Sequence, residues 1–201
     1  MYNPRHFHSN HPEFLKDLVT QYNFATLIAV VDGLPVISHL PFLYDSTFGT
    51  HGLLSAHMAR TNPQWRSFKA DTKVTVIFQG PHAYVSPRWY APQPDNVPTW
   101  NYAVVHMTGA PRIIQDQDSA FALMGRLVKQ HDPRWELSLG AKDRQDLPNE
   151  IVVFEIAVTE IDAKFKLSQN RSEGDRKSVI EHLALGPSDL ERQTSALMAR
   201  F

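Results

Sequence analysis

A two-residue turn signal between two strand-like stretches is the feature that most constrains the fold of this chain. Residues 24–31 are apolar and rich in β-branched side chains, Asp32-Gly33 follows, and residues 34–44, punctuated by Pro35 and Pro41, resume a strand-like pattern. An Asp-Gly pair at this spacing favours the type I′ turn, whose twist matches that of paired antiparallel strands. The sequence therefore predicts a β-hairpin and, with it, a fold that is mainly β.

Short strand-like stretches continue along the chain, separated by turn signals rather than by long helices. They are residues 52–56, 72–78, 82–86, 99–114 and 151–161. Turns are indicated by Asn62-Pro63, by Gly80-Pro81 and by a proline-rich segment at 91–98. Gly109 and Pro111 within the fourth stretch favour a bulge or a bend, which lets a sheet curl. The pattern predicts an antiparallel β-barrel that is closed or partly closed.

Amphipathic helices are predicted around these strands. Asn10 and Glu13 stand three residues apart before an apolar periodic segment, as in a capping box, and predict a first helix. Its apolar face would collect Phe14, Leu15, Leu18, Val19 and Tyr22. Further helices are predicted at 118–130 and 172–185, and a second capping box, Ser188-Asp189-Leu190-Glu191, begins the last one.

The predicted organisation is a single domain over residues 1–201, mainly β with flanking helices, in the α+β class. Residues 132–147 have no clear period and predict an irregular connection, and the C-terminal helices occupy about 172–201. A chain of 201 residues is long enough to bury one core without disulfides. No internal repeat and no linker divides it.

Composition narrows the classes of function. The chain has 20 Lys and Arg against 21 Asp and Glu, a formal net charge of -1, so nothing global supplies the attraction for phosphate that nucleic-acid binding needs. It has no cysteine, which excludes disulfides, thiolate nucleophiles and cysteine-held metals. The longest apolar run, 24–31, is too short to span a membrane, and the first residues lack the apolar core of a signal peptide. We expect a cytoplasmic protein that does not enter a membrane.

Polar residues that a barrel does not itself require gather after the predicted strand 52–56. Ser55, His57, Arg60 and Thr61 precede Asn62-Pro63, where a helix is expected to begin. Backbone N–H groups at a helix start, together with a guanidinium and hydroxyls, suit an anion such as a phosphate. The alternative is a capped connector with an exposed arginine.

Other segments combine aromatic, polar and basic side chains. Residues 78–90 and 97–102 suit either the binding of a flat heteroaromatic ring or a subunit interface. Residues 163–171 place amide side chains beside cations, a combination that suits a polar ring edge or a phosphate. Five basic residues lie within 164–177, which is also typical of a solvated face. His39 stands in a strand expected to be buried, where a core histidine is commoner than a ligand contact.

These segments resemble the PaiB family, whose members are described as FMN-binding negative transcriptional regulators. The resemblance runs from the first residues to about Arg176 and rests on several motifs. They are Met1-Tyr2-Asn3-Pro4 with His6-Phe7, Ser38-His39-Leu40-Pro41, residues 57–63, residues 78–90, Val97-Pro98-Thr99-Trp100-Asn101-Tyr102 and Lys166-Leu167-Ser168-Gln169-Asn170-Arg171. The long aromatic motif and the last motif are far more specific than any short pattern.

The resemblance implies a split β-barrel related to the pyridoxamine-phosphate oxidase and flavin reductase folds, in a homodimer with two FMN sites at the subunit interface. It also implies that basic and hydroxyl residues on the strands, and at the turn into a helix, hold the FMN phosphate. The matching residues are Ser55, His57, Arg60 and Thr61. His39 and Leu40 would line the ring or the ribityl chain. Contacts from the partner subunit, or contacts that cover the ring, would come from Trp100, Asn101, Lys166, Gln169, Asn170 and Arg171.

Three functions stay open at this point. The resemblance implies a flavin-binding regulator, although no segment predicts a helix-turn-helix and direct DNA contact would rest on a local basic patch such as 164–177. An FMN-dependent oxidoreductase of unknown substrate is the alternative, with no pair of carboxylates and no His–carboxylate couple that stands out as a catalytic acid or base. A metal or haem site that uses histidines, notably His6, His8 and His11, is the third, but their spacing is loose and no metal site is assigned.

Overall fold

The computed structural model describes residues 1–8, 11–69, 71–134, 146 and 149–201. Its strands are β1 (Phe24–Val31), β2 (Leu34–Pro41), β3 (Leu43–Asp45), β4 (Leu53–Ala59), β5 (Val74–Val85), β6 (Thr99–Ile113) and β7 (Ile151–Lys166). Its α-helices are α1 (Pro12–Gln21), α2 (Gln117–His131), α3 (Glu173–Ala184) and α4 (Asp189–Arg200). Short 3₁₀ helices lie at Arg5–Phe7, Pro63–Ser67 and Pro87–Trp89. The described residues are mainly β with flanking helices, as the sequence predicts.

The predicted hairpin is confirmed. Strands β1 and β2 pair antiparallel along their whole length. Asp32 and Gly33 have φ angles of 51° and 78°, the left-handed values that both central residues of a type I′ turn require. Glycine adopts this conformation freely and aspartate tolerates it, so these two residues are enough to reverse the chain.

The seven strands form one antiparallel sheet in the order β2-β1-β5-β6-β7-β4-β3. Its two outermost strands, β2 and β3, are consecutive in the chain and are separated only by Phe42. Laid flat, seven strands would span about 29 Å at a spacing of about 4.8 Å, which one residue cannot bridge. The sheet therefore curls until its edges come together. Asn62, just after β4, donates from Nδ2 to Ser38 Oγ on β2 at 2.9 Å and joins the two edge regions.

The turn predicted at Gly80-Pro81 is wrong, because residues 74–85 form the single strand β5. The pairing of β5 with β1 ends at Ile77, so Pro81 lies beyond it and its missing N–H removes no hydrogen bond to β1. Gly80 leaves room for Leu18, whose Cδ1 would stand only 2.9 Å from a Cβ at position 80. Both residues therefore fit within a strand, although they are typical of turns.

Strands β6 and β7 are long and uninterrupted. β6 runs through Gly109 and Pro111, where the sequence predicts a bulge or a bend. A Cβ at Gly109 would collide with the backbone of Ala157 on β7, so glycine permits the close approach of the two strands. β7 continues beyond Ile161, its predicted end, to Lys166. This extension brings part of the basic run into the sheet.

Side-chain caps fix the beginnings of the helices. Ser188 accepts from the backbone N–H of Glu191 and the Glu191 carboxylate accepts from that of Ser188, so the capping box predicted for α4 is confirmed. At the start of α2 the Asp116 side chain accepts from the backbone N–H of Ser119, and at the start of α3 the Ser172 side chain accepts from that of Asp175. Each of these two caps is therefore a single hydrogen bond. The cap predicted at Asn10, like most of the connection predicted at 132–147, lies outside the described residues. No helix in the described part of the chain has both the length and the apolar character that crossing a bilayer requires.

The chain divides into two compact units. The first comprises Met1–Leu18, Gln79–Val105 and Asp162–Phe201, and the second comprises Val19–Phe78 and His106–Ile161. Fully buried side chains in the core of the first unit are Phe165, Leu167, Val179, Leu183 and Met198. Those in the core of the second unit are Leu27, Leu54, Val76, Phe78 and Phe154. Each unit thus has an apolar core of its own, and the organisation as one domain stays a prediction.

Candidate functional site

Arg60, in the second unit, is held just after β4 by hydrogen bonds from its backbone and its side chain. Its N–H donates to Glu150 O at 2.8 Å, and its Nη2 donates to Ile151 O at 3.0 Å. Trp65 donates from Nε1 to Arg60 O at 3.0 Å, and its ring centroid lies 5.1 Å from the Arg60 Cζ. Among the described residues, the buried Nε of Arg60 has no hydrogen-bond acceptor. The fold therefore orients this guanidinium and leaves one of its N–H groups unused.

A phosphate group fits this arrangement. Its oxygens accept strong charge-assisted hydrogen bonds from a guanidinium, and a buried donor without an acceptor costs about 1–3 kcal/mol. Thr61, the next residue, is exposed and carries a hydroxyl. Asn62 accepts from Gln64 N at 3.0 Å and begins the 3₁₀ helix Pro63–Ser67, so the helix start predicted there is confirmed. Because that helix has only five residues, the guanidinium and the hydroxyl, rather than a helix dipole, suit the anion.

Ser55 and His57 lie on the face of β4 that α2 covers. They alternate along the strand with Leu54, Ala56 and Met58, which are buried on the opposite face. Val153 of β7 pairs with His57 and packs in a cluster with Leu123 and Leu127 of α2. Ser55 is 2% exposed. Both side chains therefore lie on a face of β4 that is covered by α2, rather than on an open surface.

The environment of His57 favours a neutral imidazole. Burial lowers the pKa of His57 from its ordinary value, so the ring carries no charge at pH 7. Its Nδ1 is buried and has no hydrogen-bond partner among the described residues. A neutral imidazole with an unused nitrogen can donate or accept one hydrogen bond, according to its tautomer.

The expectation that His39 is a core histidine is wrong. Strand β2 is an outermost strand with β1 as its neighbour in the sheet, and His39 is exposed on it. The imidazole Nδ1 lies 3.1 Å from Thr26 Oγ1 on β1. Leu40 is half-buried, whereas Leu34 and Ile37 of the same strand are 69% and 52% exposed. His39 thus shares an exposed face of the hairpin with Ile37, whereas Leu40, paired with the buried Ala25, lies on the opposite face.

Lys166, in the first unit, is fixed at the end of β7. Its Nζ donates to Trp100 O at 2.6 Å and to Thr99 Oγ1 at 2.5 Å. Burial, followed by the positive charges of Lys164 and Arg171, lowers the pKa of Lys166. The ammonium group thus stands in partly dehydrated surroundings with other cations near it.

Asn101 is a buried residue that fixes the turn after β7. It is 1% exposed, and its Nδ2 donates to Ser168 Oγ at 2.9 Å and to Met198 Sδ at 3.3 Å. Ser168 has a φ of 64°, in the left-handed region that residues other than glycine seldom adopt. The amide of Asn101 is therefore engaged within the first unit.

Gln169 and Asn170, which follow Ser168, differ in their contacts. Gln169 Oε1 accepts from Leu167 N at 2.7 Å, and its Nε2 donates to Phe165 O. The side chain of Gln169 thus satisfies backbone groups where β7 ends. Asn170 is exposed.

The basic run is largely engaged within the chain. Lys164 is 7% exposed, and its Nζ donates to a backbone carbonyl. Arg171 packs on Tyr90, with Cζ 4.3 Å from the ring centroid, and Arg176 donates to another backbone carbonyl. Lys177 is exposed on α3. The run therefore presents much less charge to solvent than its sequence suggests.

A set of aromatic and lysine side chains shares one face of the sheet in the first unit. Trp100 is 53% exposed and contacts Tyr84 and His82, with ring centroids 6.0 Å and 6.3 Å apart. Since alternate residues of a strand point to one face and β5, β6 and β7 are neighbours, the set continues across three strands. We call it the aromatic–lysine face, and its members are His82, Tyr84, Trp100, Tyr102, Lys164 and Lys166.

Four members of this face lie within the segments 78–90, 97–102 and 163–171 that the sequence indicates, but the sequence does not assign them individually to the site: His82, Tyr84, Tyr102 and Lys164. The alternation of large polar-tipped and small or apolar residues within β5 and β6 is the signal that finds the first three. Lys164 gives no such signal, because a lysine near a strand end is usually solvated.

The N-terminal histidines make separate contacts. The His6 ring packs against Phe7 at 4.0 Å between centroids, and His8 Nδ1 lies 3.1 Å from Asn3 Nδ2. His11 packs against Phe14 at 5.9 Å between ring centroids. Over the described ranges, no three His, Asp or Glu side chains are grouped so that they could share a metal ion.

Comparison with known sequences gives matches over most of the chain. Residues 1–160 match the family described as "Putative FMN-binding domain". "Protease synthase and sporulation protein PAI 2" of Bacillus subtilis is 37% identical over 203 aligned positions, which cover 98% of this chain and 96% of that protein. An uncharacterized protein of Emericella nidulans is 32% identical over 71% of this chain and 72% of its own length.

Comparison with solved structures concerns the fold. The FAD and heme binding protein of Mycobacterium smegmatis superposes with a TM-score of 0.64 at 16% identity, over 85% of this chain and 78% of that chain. A protein of Clostridium acetobutylicum in the pyridoxinephosphate oxidase family gives a TM-score of 0.50 at 14% identity, over 78% and 89% of the two chains. The predicted class of split β-barrel is confirmed.

Proposed function

Because the chain belongs to the PaiB family of FMN-binding proteins, we propose that it is a cytoplasmic flavin-binding homodimer that acts as a negative regulator of transcription. FMN is its cofactor. The homodimer and the regulatory role are carried over from the resemblance to the family. When bound, FMN supplies the capacity to accept and donate electrons, and the protein supplies position and electrostatics.

The observation that carries the proposal is the unused N–H of Arg60. We assign the FMN phosphate to Arg60 and Thr61, because a phosphate oxygen supplies the acceptor that the buried Nε lacks. Ser55 and His57 lie within β4, just before Arg60 and Thr61, and help to hold the end of that strand in place. The neutral imidazole of His57 is available for one hydrogen bond. These four residues make up the phosphate end of the proposed site.

His39 and Leu40 of the outermost strand are assigned to the ring or the ribityl chain of FMN. Both lie on β2, which Asn62 joins to the end of β4 through its hydrogen bond to Ser38. The strand therefore stands next to the segment that would hold the phosphate, within the second unit. The exposed His39 imidazole, on the same face of the strand as Ile37, suits a flat ring with polar edges.

The remaining assignments concern residues of the first unit that the partner subunit would contribute. Trp100 and Asn170 are exposed and would contact the flavin directly. Lys166 offers an oriented ammonium group. Asn101, Gln169 and Arg171 are engaged within the chain, and we assign them the role of holding that segment in place.

Exposed apolar side chains on one face of the first hairpin support the homodimer. Phe24 and Val30 of β1 are 68% and 64% exposed, and Ile37 of β2, on the same face, is 52% exposed. A concentration of such side chains is typical of surfaces that bind another protein. A mass of two chains by light scattering is expected, and a single chain at all concentrations would contradict this part of the proposal.

The proposed regulation is indirect. The net charge is -1, and most of the basic run is engaged in internal contacts, so a stripe of exposed cations for DNA is not supported. Fluorescence anisotropy with genomic fragments at a stated salt concentration distinguishes indirect regulation from direct binding to DNA. Binding no stronger than to a non-specific duplex is the expected result.

An FMN-dependent oxidoreductase is the second candidate. The observation that favours it is the aromatic–lysine face, where Trp100 and Tyr84 leave ring surface exposed. Flavin chemistry does not require a dedicated acid or base, so the missing catalytic couple does not argue against it. Oxidation of nicotinamide cofactors by the flavin-loaded protein would favour this function.

The first test is the visible absorption spectrum of the purified protein, recorded again after addition of FMN and desalting, with the released pigment identified by mass. We expect flavin retained at about one molecule per subunit. Protein that keeps no flavin after reconstitution would overturn the proposed site. The apo-protein should remain folded by circular dichroism, so that lack of retention is not mistaken for unfolding.

A further inference from the structure

We infer that the aromatic–lysine face binds a second, flat ligand: an aromatic ring that carries an acid group and is distinct from FMN. The inference rests on the proposed function, in which this face comes close to the flavin. The inference specifies the chemical class of the ligand that would bind next to the flavin. Two properties of the face carry it: an exposed ring surface, and the half-buried ammonium group of Lys166, to which the buried Lys164 adds a second positive charge nearby.

The ring surface is accessible. Trp100 is 53% exposed and Tyr84 is 46% exposed, and their ring planes lie at 74° to each other. The His82 ring is tilted by 41° from the Trp100 indole, at 6.3 Å between centroids. Aromatic side chains held in this way lose little freedom when another ring stacks on them. A planar ligand therefore finds a prepared stacking surface.

The lysines provide positive charge at a fixed place. Lys164 Nζ lies 5.4 Å from the ring centroid of Tyr102 and 5.5 Å from that of Tyr2, and it donates to Tyr2 O at 2.9 Å. Lys166 Nζ lies 5.8 Å from the ring centroid of Phe7 and donates to Trp100 O. Rings and carbonyls orient both ammonium groups without neutralising them.

The ion pairs found among the described residues include neither Lys164 nor Lys166. Asp162, two residues before Lys164, pairs through Oδ2 with the Met1 ammonium at 2.8 Å and accepts at Oδ1 from Asn3 Nδ2 at 2.8 Å. Two partly dehydrated cations on one strand repel each other, and burial together with this repulsion lowers the pKa of Lys166. An anionic group on the ligand would relieve both costs, whereas a neutral ring would relieve neither.

The test uses the flavin-loaded protein, with 2-naphthoate as probe and 2-naphthylmethanol as its neutral control, in equilibrium dialysis. We expect naphthoate to bind at least tenfold more tightly than the alcohol. Lys166→Met should bring the two affinities within about threefold of each other, whereas Lys166→Arg should keep the preference. Trp100→Leu should weaken both ligands at least fivefold. Lys177→Met, at an exposed lysine of the same basic run, should change nothing.

The outcomes separate this inference from the proposed function. Equal affinity for the two probes, or no saturable binding, overturns the inference while flavin retention stands. Release of FMN in proportion to bound naphthoate also overturns it, because the face then has room for the flavin or for the probe but not for a second ligand beside the flavin. If Trp100→Leu converts a dimer into single chains without affecting probe binding, a second copy of the chain covers the face, and the inference is wrong. Protein that retains no FMN but binds naphthoate through Lys166 contradicts the proposed flavin site and leaves the second ligand supported.

Discussion

The side-chain amide of Asn101 donates to the hydroxyl of Ser168 across 2.9 Å, and so ties the beginning of β6 to the turn that follows β7. Ser168 holds a φ of 64°, a conformation that costs about 1 kcal/mol or more for a residue with a Cβ. Both residues are buried. The turn that carries the predicted residues Gln169, Asn170 and Arg171 is therefore maintained by a buried hydrogen bond.

Removing that hydrogen bond should destabilise the protein. We expect Asn101→Ala to lower the free energy of unfolding by about 1–3 kcal/mol, because the buried Ser168 hydroxyl loses its partner. Asn170→Ala, at an exposed position two residues after Ser168, should change the free energy of unfolding by about 0.5 kcal/mol at most. Urea denaturation of the apo-proteins measures both values. Equal stability of the two variants would contradict the structural role of Asn101.

Arg60 should dominate the affinity for FMN. We expect Arg60→Ala to weaken FMN binding by more than tenfold, because a charge-assisted contact to phosphate in a partly buried place contributes about 1.5–3 kcal/mol. Arg66→Ala is the matched control, since Arg66 also packs on Trp65, with Cζ 5.6 Å from the ring centroid, but is exposed. Quenching of flavin fluorescence measures both affinities. If the two variants bind FMN equally well, Arg60 does not contact the phosphate.

Two glycines should respond in opposite directions to the same substitution. Gly109→Ala places a Cβ against the backbone of Ala157, which cannot move without disturbing β7, so a clear loss of thermal stability is expected. Gly125→Ala lies within α2 with open space around it, and should stabilise the protein by about 0.5–1 kcal/mol. Differential scanning calorimetry measures the two shifts. Tolerance of alanine at position 109 would show that β6 and β7 are not in close contact there.

The stability of the segment after β5 should depend on acid pH through Asp175. The backbone N–H of Ala91, followed by Ser172 and the charge of Arg171, lowers the pKa of this carboxyl below its ordinary value of 3.8. Because the folded-state pKa is the lower one, the stabilisation is complete above the unfolded value and disappears as the pH falls through the folded value.

Asp175→Asn should therefore be less stable than the parent protein at pH 6, and the difference should shrink as the pH falls below about 4. Denaturation midpoints across this range give the result. Asp95→Asn, at an exposed residue of the 91–98 segment, should have the same denaturation midpoint as the parent protein at each pH. A difference between Asp175→Asn and the parent that is constant with pH would exclude the carboxylate as its cause.

Local sequence signals predicted the elements whose causes are local. Asp32-Gly33 fixes its turn through backbone conformation, and Ser188 with Glu191 caps α4 through their own side chains. Gly80-Pro81 misled the prediction, because its place in β5 depends on where the pairing with β1 ends. That boundary is a property of the sheet and leaves no trace in the neighbouring residues.

The candidate site divides in the same way. Residue types and motifs pointed to Arg60 and Lys166, whose long cationic side chains keep donors available after folding. They could not indicate that the side-chain amides of Asn101 and Gln169 form hydrogen bonds within the chain. Which polar groups are consumed internally depends on partners far along the chain, such as Ser168 for Asn101.

The two outermost strands bear on how the protein behaves in concentrated solution. An outermost strand offers unpaired N–H and C=O groups to any extended chain, which is how sheets grow into aggregates. β3 is only three residues long, and β2 carries Pro35 and Pro41, which have no N–H to offer and occur near its two ends. A curled sheet with one very short edge and one proline-flanked edge gives an additional strand little to extend, so neither edge favours growth of the sheet from one molecule into the next.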